Sequence, residues 1–195
     1  MSTFQLYLEL GINHIINLEA YDHILFIAAL CAVYHFNQWR QVLVLVTAFT
    51  LGHTTTLALA SFNVIHFPSK WIEFFIAVTI FITAVANIVE RNDYIKKKTH
   101  WMKYGFAMFF GLIHGLGFSF YLRSLLGREA NIITSLFGFN LGIEIGQICI
   151  VLIVLTLTYI FVDMLKLLRR EWNLVLSGAG IGVSLMLMLQ RIPWR

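Results

Sequence analysis

From residue 131 to residue 161 the chain carries a single charged side chain, Glu144. That stretch exceeds the roughly 20 apolar residues a helix needs to cross the hydrocarbon core of a bilayer. It is the extreme case of a general pattern. Of 195 residues, 59% are hydrophobic and 12% are charged, against roughly 25% charged in a soluble domain. Too few charges remain to cover a water-facing surface. The chain reads as all-α, a polytopic membrane helix bundle forming one transmembrane domain over residues 1–195. Six spans are expected, near 21–36, 41–61, 70–90, 102–122, 131–161 and 173–191. An N-terminal helix over 1–18, with Ser2 as its N-cap, lies along the interface or re-enters partway.

The loop charges report orientation. With the N-terminus outside, the inner side holds Arg40, Arg91, Lys96, Lys97, Lys98, Lys103, Lys166, Arg169 and Arg170. The outer side holds Lys70, Arg123, Arg128, Arg191 and Arg195. The excess of basic residues on the first side favours both termini outside. The net charge of +4 is therefore a topological signal, and no nucleic-acid partner is expected. Membrane lipid is the surrounding partner, and a homo-oligomer stays open. Cys31 and Cys149 form no CxxC pair and read as small buried apolar residues. Pro68 and Pro193 avoid the span centres, so no proline kink marks a gate.

Polar side chains are costly inside lipid and tend to face the bundle interior. His23 lies near the outer end of the first span. His53 stands about 12 residues up the second span, roughly 18 Å by helical rise. His114 reaches a similar height in the fourth, and Glu73 lies near the outer end of the third. Asn140, Glu144 and Gln147 share one face of the fifth span through spacings of four and three. All of these groups fall in the outer half. His14 is ambiguous. Eight residues before Asp22, it shares a side with that carboxylate on an unbroken helix, about 80° away. A break near Glu19, Ala20 and Tyr21 frees it to join either Asp22 or His23, and Glu19 itself reads as interfacial. Asp22 caps the first span or joins the imidazoles.

A lone intramembrane histidine is often a packing residue. Three at one level, beside Asp22, Glu73 and Glu144, argue for chemistry. Neutral imidazole with carboxylate suits a borderline divalent metal ion, Ni, Co or Zn, bound directly or through groups that orient the ligands. Thr54, Thr55, Thr56 and Ser119 are expected to bond to their own helix backbones. His35, His66 and His100 read as solvated. The glycines at 138, 142 and 146, and those around His114, read as close-packing positions. No HExxH, GxSxG or P-loop is present.

The segments "GINH", "YDHILF", "VTAFTLGHTTTLALA", "FGLIHGLGFS" and "GFNLGIEIGQ" together resemble the HupE/UreJ family of small bacterial membrane proteins, in its second subgroup, over about residues 11 to 150. The resemblance implies a compact six- or seven-helix bundle in the bacterial inner membrane. It implies nickel supply to hydrogenase and urease, with metal-binding histidines. Carried onto this chain it points to His14, Asp22, His23, His53 and His114, with Glu73, Asn140 and Glu144 as polar companions. The insertion "IINLEAY" and Ala20 in place of a family glycine depart from the usual spacing before the Asp-His pair. The tight HxxxxDH of larger nickel/cobalt permeases is absent. Three readings stand: a divalent-metal transporter, an intramembrane metal-dependent enzyme of hydrolase type acting on a lipid or lipid-linked substrate, and an accessory protein whose polar core only holds helices together. In the enzyme reading Asp22 or Glu144 is the proton acceptor.

Overall fold

The computed structural model describes residues 2–18, 21–90, 97–126 and 131–194, with the side chains at 97–99, 123 and 126 outside that description. Seven α-helices follow in order: α1 (Thr3–Ile16), α2 (Asp22–Cys31), α3 (Trp39–Ser61), α4 (Ser69–Val89), α5 (Lys97–Leu126), α6 (Ile132–Thr158) and α7 (Arg169–Gln190). A wider π-turn, Tyr159–Met164, continues α6. Among the described residues, five helical segments are long and apolar enough to cross a membrane.

The count of long spans is therefore five rather than six. The expected span 21–36 contains α2, which has only 10 residues. At 1.5 Å per residue it covers about 15 Å, half of a ~30 Å hydrocarbon core. The helix stops after Cys31, where the chain turns toward the short 3-10 segment Phe36–Gln38. Its last turn is held by α4, since Asn87 Nδ2 donates to the Ala29 carbonyl at 2.6 Å. The helix before it, α1, starts from a capping box in which Ser2 Oγ accepts Gln5 N–H and Gln5 Oε1 accepts Ser2 N–H. Helix α1 ends at Ile16 and α2 begins at Asp22, so the helix is interrupted where a break was anticipated. Glu19 and Ala20 lie outside the described residues, as do Arg91, Lys96, Arg128 and Arg195 of the charge count.

Glycines decide which helices touch. A Cβ on Gly52 would strike the Met108 carbonyl, and one on Gly111 would strike that of Phe49, so α3 and α5 approach backbone to backbone. Phe49 faces Gly111 and His53 faces Gly115, which makes the two helices parallel. The same occurs between α1 and α6: Phe4 meets Gly138, Leu8 meets Gly142 and Ile15 meets Gly146. Small residues spaced by four allow this approach without a hydrophobic driving force in lipid. One stripe of α1, with Tyr7, Gly11 and Ile15, is therefore buried against the bundle. Helix α7 runs antiparallel to α4, with Asn173 Nδ2 donating to the Asn87 carbonyl at 2.9 Å and Arg191 beside Glu73 at the far end. Large apolar side chains such as Leu152, Ile153 and Val175 stay exposed, as a lipid-facing surface requires. Cys31 is buried but Cys149 is exposed, on that outer face rather than in the core.

Candidate metal centre

The interrupted first crossing brings His14, near the end of α1, back onto His23 in the first turn of α2. Their ring centroids are 4.7 Å apart. His53 comes from α3, 6.1 Å from the His14 ring and 6.3 Å from that of His23. One ligand atom from each of these three imidazoles lies within 4.8 Å of the other two, the one such group found among the described residues. His114 of α5 stands 5.3 Å from His23, ring to ring. It joins the cluster but lies outside that closest trio. Sequence spacing alone placed His23, His53 and His114 at the centre and left His14 ambiguous; the structure brings all four rings together.

The nitrogens of this cluster lack ordinary partners. His14 Nε2, His23 Nε2, both nitrogens of His53 and His114 Nδ1 are buried with no hydrogen-bond partner among the described residues. His53 is 0% and His114 1% exposed. A buried imidazole nitrogen without a partner costs about 1–3 kcal/mol, so five in one cluster call for a common one. A divalent ion that accepts lone pairs from neutral imidazoles fits this donor set.

Two contacts outside the cluster orient the rings. Asp22 Oδ1 sits 3.1 Å from His23 Nδ1 and also accepts the His23 backbone N–H at 2.9 Å. That contact leaves His23 Nε2 as the free lone pair. Asp22 occupies the first turn of α2, with Tyr21 at the N-cap position, so the one carboxylate both accepts a free backbone N–H of that turn and aligns the His23 ring. Its Oδ2 faces Arg191 Nη1 at 3.4 Å. On α4, the Thr79 hydroxyl donates to the Ile76 carbonyl at 2.7 Å and lies 3.0 Å from His114 Nε2. With its one proton committed, Thr79 can only accept there, so His114 carries its proton on Nε2 and exposes Nδ1 as a lone pair.

The remaining residues singled out from the sequence fall around this centre rather than in it. Glu73 is exposed and pairs with Arg191 at 3.9 Å. Glu144 Oε1 accepts the Thr47 hydroxyl at 2.6 Å, six residues along α3 from His53 and thus about 9 Å by helical rise. Gln147 Oε1 accepts from Thr50 at 2.7 Å and Asn140 Oδ1 from Thr54 at 2.6 Å. The polar face of α6 therefore zips to a threonine ladder on α3. Thr54 bonds across helices, whereas Thr55 and Thr56 bond back to the Leu51 and Gly52 carbonyls. His100 is half-buried: its Nδ1 is shielded without a partner among the described residues, beside Tyr34 and Tyr104. Sequence reading did not single out Thr79, and it took Arg191 only as a loop charge. Both act across helix pairs, and no spacing along the chain signals that.

Among the described residues, one opening reaches the centre beside His14. A vestibule of about 360 Å³ is lined by Leu10, Asn13, His14, Asn17, Phe118 and Tyr121. On the other side Phe26, tilted, and Phe49, edge-on, pack against His114 at 5.0 Å each, and Phe110 packs on Phe26 at 6.1 Å. These rings form a buried apolar floor, with Phe26 at 0% and Phe49 at 1% exposure.

The family profile described as HupE / UreJ protein matches residues 1–191. No curated protein and no solved structure matches the chain.

Proposed function

This chain belongs to the HupE/UreJ family, and from that premise we propose that it binds and moves a divalent transition-metal ion, of the nickel, cobalt or zinc type, across the bacterial inner membrane. One observation carries the reading: His14, His23 and His53, from α1, α2 and α3, hold unpartnered buried nitrogens and offer ligand atoms within 4.8 Å of one another, with His114 of α5 beside them. His14, His23 and His53 form the binding set, His114 stands beside them, and Asp22 aligns His23. A set of neutral imidazoles with one nearby carboxylate binds a borderline cation without trapping it as a thiolate cage would. The ion enters through the vestibule at His14. Passage onward requires the Phe26, Phe49 and Phe110 floor to part.

The test is direct. Purified protein in proteoliposomes should take up Ni, Co or Zn ions, and His53→Ala should abolish both uptake and stoichiometric binding by elemental analysis. Full binding and uptake in both His53→Ala and His23→Ala would reduce the cluster to packing.

A second reading, an intramembrane metal-dependent hydrolase, is favoured by that same closed floor, since a site open to one side suits a substrate that enters and leaves on that side. In it the ion would be held by the same imidazoles and would supply Lewis-acid polarisation, with Asp22 beside His23 as the nearer proton acceptor and Glu144 the farther one. Metal bound without any uptake into proteoliposomes would favour this reading over transport.

A further inference from the structure

The imidazoles are joined in a chain of contacts that leads inward. His14 lines the outer vestibule, and its ring meets His23 at 4.7 Å. His23 in turn meets His114 at 5.3 Å. His114 rests on the floor, 5.0 Å from both Phe26 and Phe49. His23 is thus common to two groups, the trio with His14 and His53 and a pair with His114. The His114 ring is set to take part. It is 1% exposed, and its Nδ1 has no partner among the described residues. Thr79 beside Nε2 keeps the lone pair on Nδ1. A buried nitrogen left in that state costs about 1–3 kcal/mol, yet this one stands outside the closest trio.

Space continues beneath the floor. Phe110, which packs on Phe26 at 6.1 Å, also lines a cavity of about 190 Å³ between α2, α3, α4 and α5. Its wall is largely apolar, with Leu30, Leu45 and Ala107 among the lining side chains. One stripe of α4 adds polar groups. Thr79, Thr83 and Asn87 are spaced by four and share a face. Thr79 touches His114, while Thr83 and Asn87, both buried, line the cavity. Helix α4 thereby carries one polar face from the imidazoles into the space beyond the phenylalanines.

We propose that His114 is a second station for the ion. Bound first by His14, His23 and His53, the ion gives up His14 and His53 for His114 while His23 holds it, and from there it crosses the floor into the cavity. This second step rests on the transport reading of the same centre. Passage through a membrane protein needs adjacent sites that bind well enough to be entered and weakly enough to be left. The first station offers three imidazoles and the second two, so the inner one releases more readily. Asp22 keeps the Nε2 lone pair of His23 available throughout. His53, with both nitrogens unpartnered among the described residues, lets go without breaking another bond.

The experiment uses the full chain with Co or Zn ions, in detergent for binding and in proteoliposomes for uptake. His114→Phe suits the aromatic floor and leaves the Thr79 hydroxyl its bond to Ile76; His114→Gln is the second variant should that one unfold. Either should keep stoichiometric binding, weaken affinity no more than severalfold, and slow uptake about tenfold or more. His14→Ala should leave a weaker site at His23 and His114, which adding His114→Phe should abolish, a non-additivity that the double-mutant cycle reads. Ala86→Trp and Ala107→Leu narrow the cavity from α4 and α5 and should keep binding while slowing uptake to a similar degree. Loss of binding in His114→Phe and His114→Gln equal to that in His53→Ala would make a single four-ligand site and overturn the second station. So would unchanged uptake in those variants, residual binding in His14→Ala that ignores His114, or full-rate uptake in both cavity variants. Absence of uptake by the wild-type chain would instead sink the transport reading itself, and the binding cycle alone would then decide whether His114 holds an ion.

Discussion

Replacing Asp22 with Asn separates a group that aligns a ligand from one that binds. Asp22 Oδ1 contacts His23 Nδ1 at 3.1 Å and Oδ2 faces Arg191 at 3.4 Å. Asparagine keeps an oxygen at the first position, so the tautomer that leaves His23 Nε2 free is retained. What disappears is the negative charge. The charge-assisted bond becomes a neutral one, roughly half as strong, and the imidazole becomes a poorer donor to a cation. Loss of such an orienting partner typically weakens metal affinity 10–100-fold, or about 1.4–2.8 kcal/mol. His53→Ala removes a ligand outright and should reduce binding well beyond that range. Calorimetric titration with Ni or Zn ions measures both variants, and far-UV circular dichroism checks that each is folded. Unchanged affinity in Asp22→Asn would refute the role drawn from the His23 contact. Complete loss of binding, equal to His53→Ala, would instead make Asp22 a ligand itself.

Other expectations concern packing, ligand orientation and topology. Gly52→Ala drives a Cβ into the Met108 carbonyl and should cost about 1–3 kcal/mol as overpacking, whereas Gly105→Ala, which meets nothing within 4 Å inside α5, should leave Tm in detergent unchanged or raise it. Val substituted for Thr79 removes the acceptor from His114 Nε2 and should lower metal affinity more than Ser, which keeps the hydroxyl; equal affinities would show that this contact orients nothing. With both termini outside, a Cys at Ser2 should react with an impermeant label in intact cells and a Cys at Lys97 should not, and the reverse pattern would invert the bundle.

Much of this protein is legible in one dimension. A membrane imposes its solvent on every residue of a span, so the apolar stretches of α3 to α7 show in composition alone, and the buried histidines stand out against them. Glycines spaced by four likewise announce a close helix contact. Which helix fills the contact is another matter. Nothing along the chain pairs Gly142 with Leu8 or Gly52 with Met108, and the first of these pairings seats α1 against α6 and carries His14 onto His23. Composition also failed to distinguish a crossing from a half crossing: residues 21–36 are apolar enough for a span, but α2 ends at Cys31 where α4 and the following turn take over its carbonyls. The partners of the polar groups were equally a matter of three dimensions. Glu144, Gln147 and Asn140 share a face by their spacing, yet that face meets the threonines of α3, and Glu73 meets Arg191 from the far end of the chain. A helix period states which side chains point the same way. Only the packing of seven helices decides what stands opposite them.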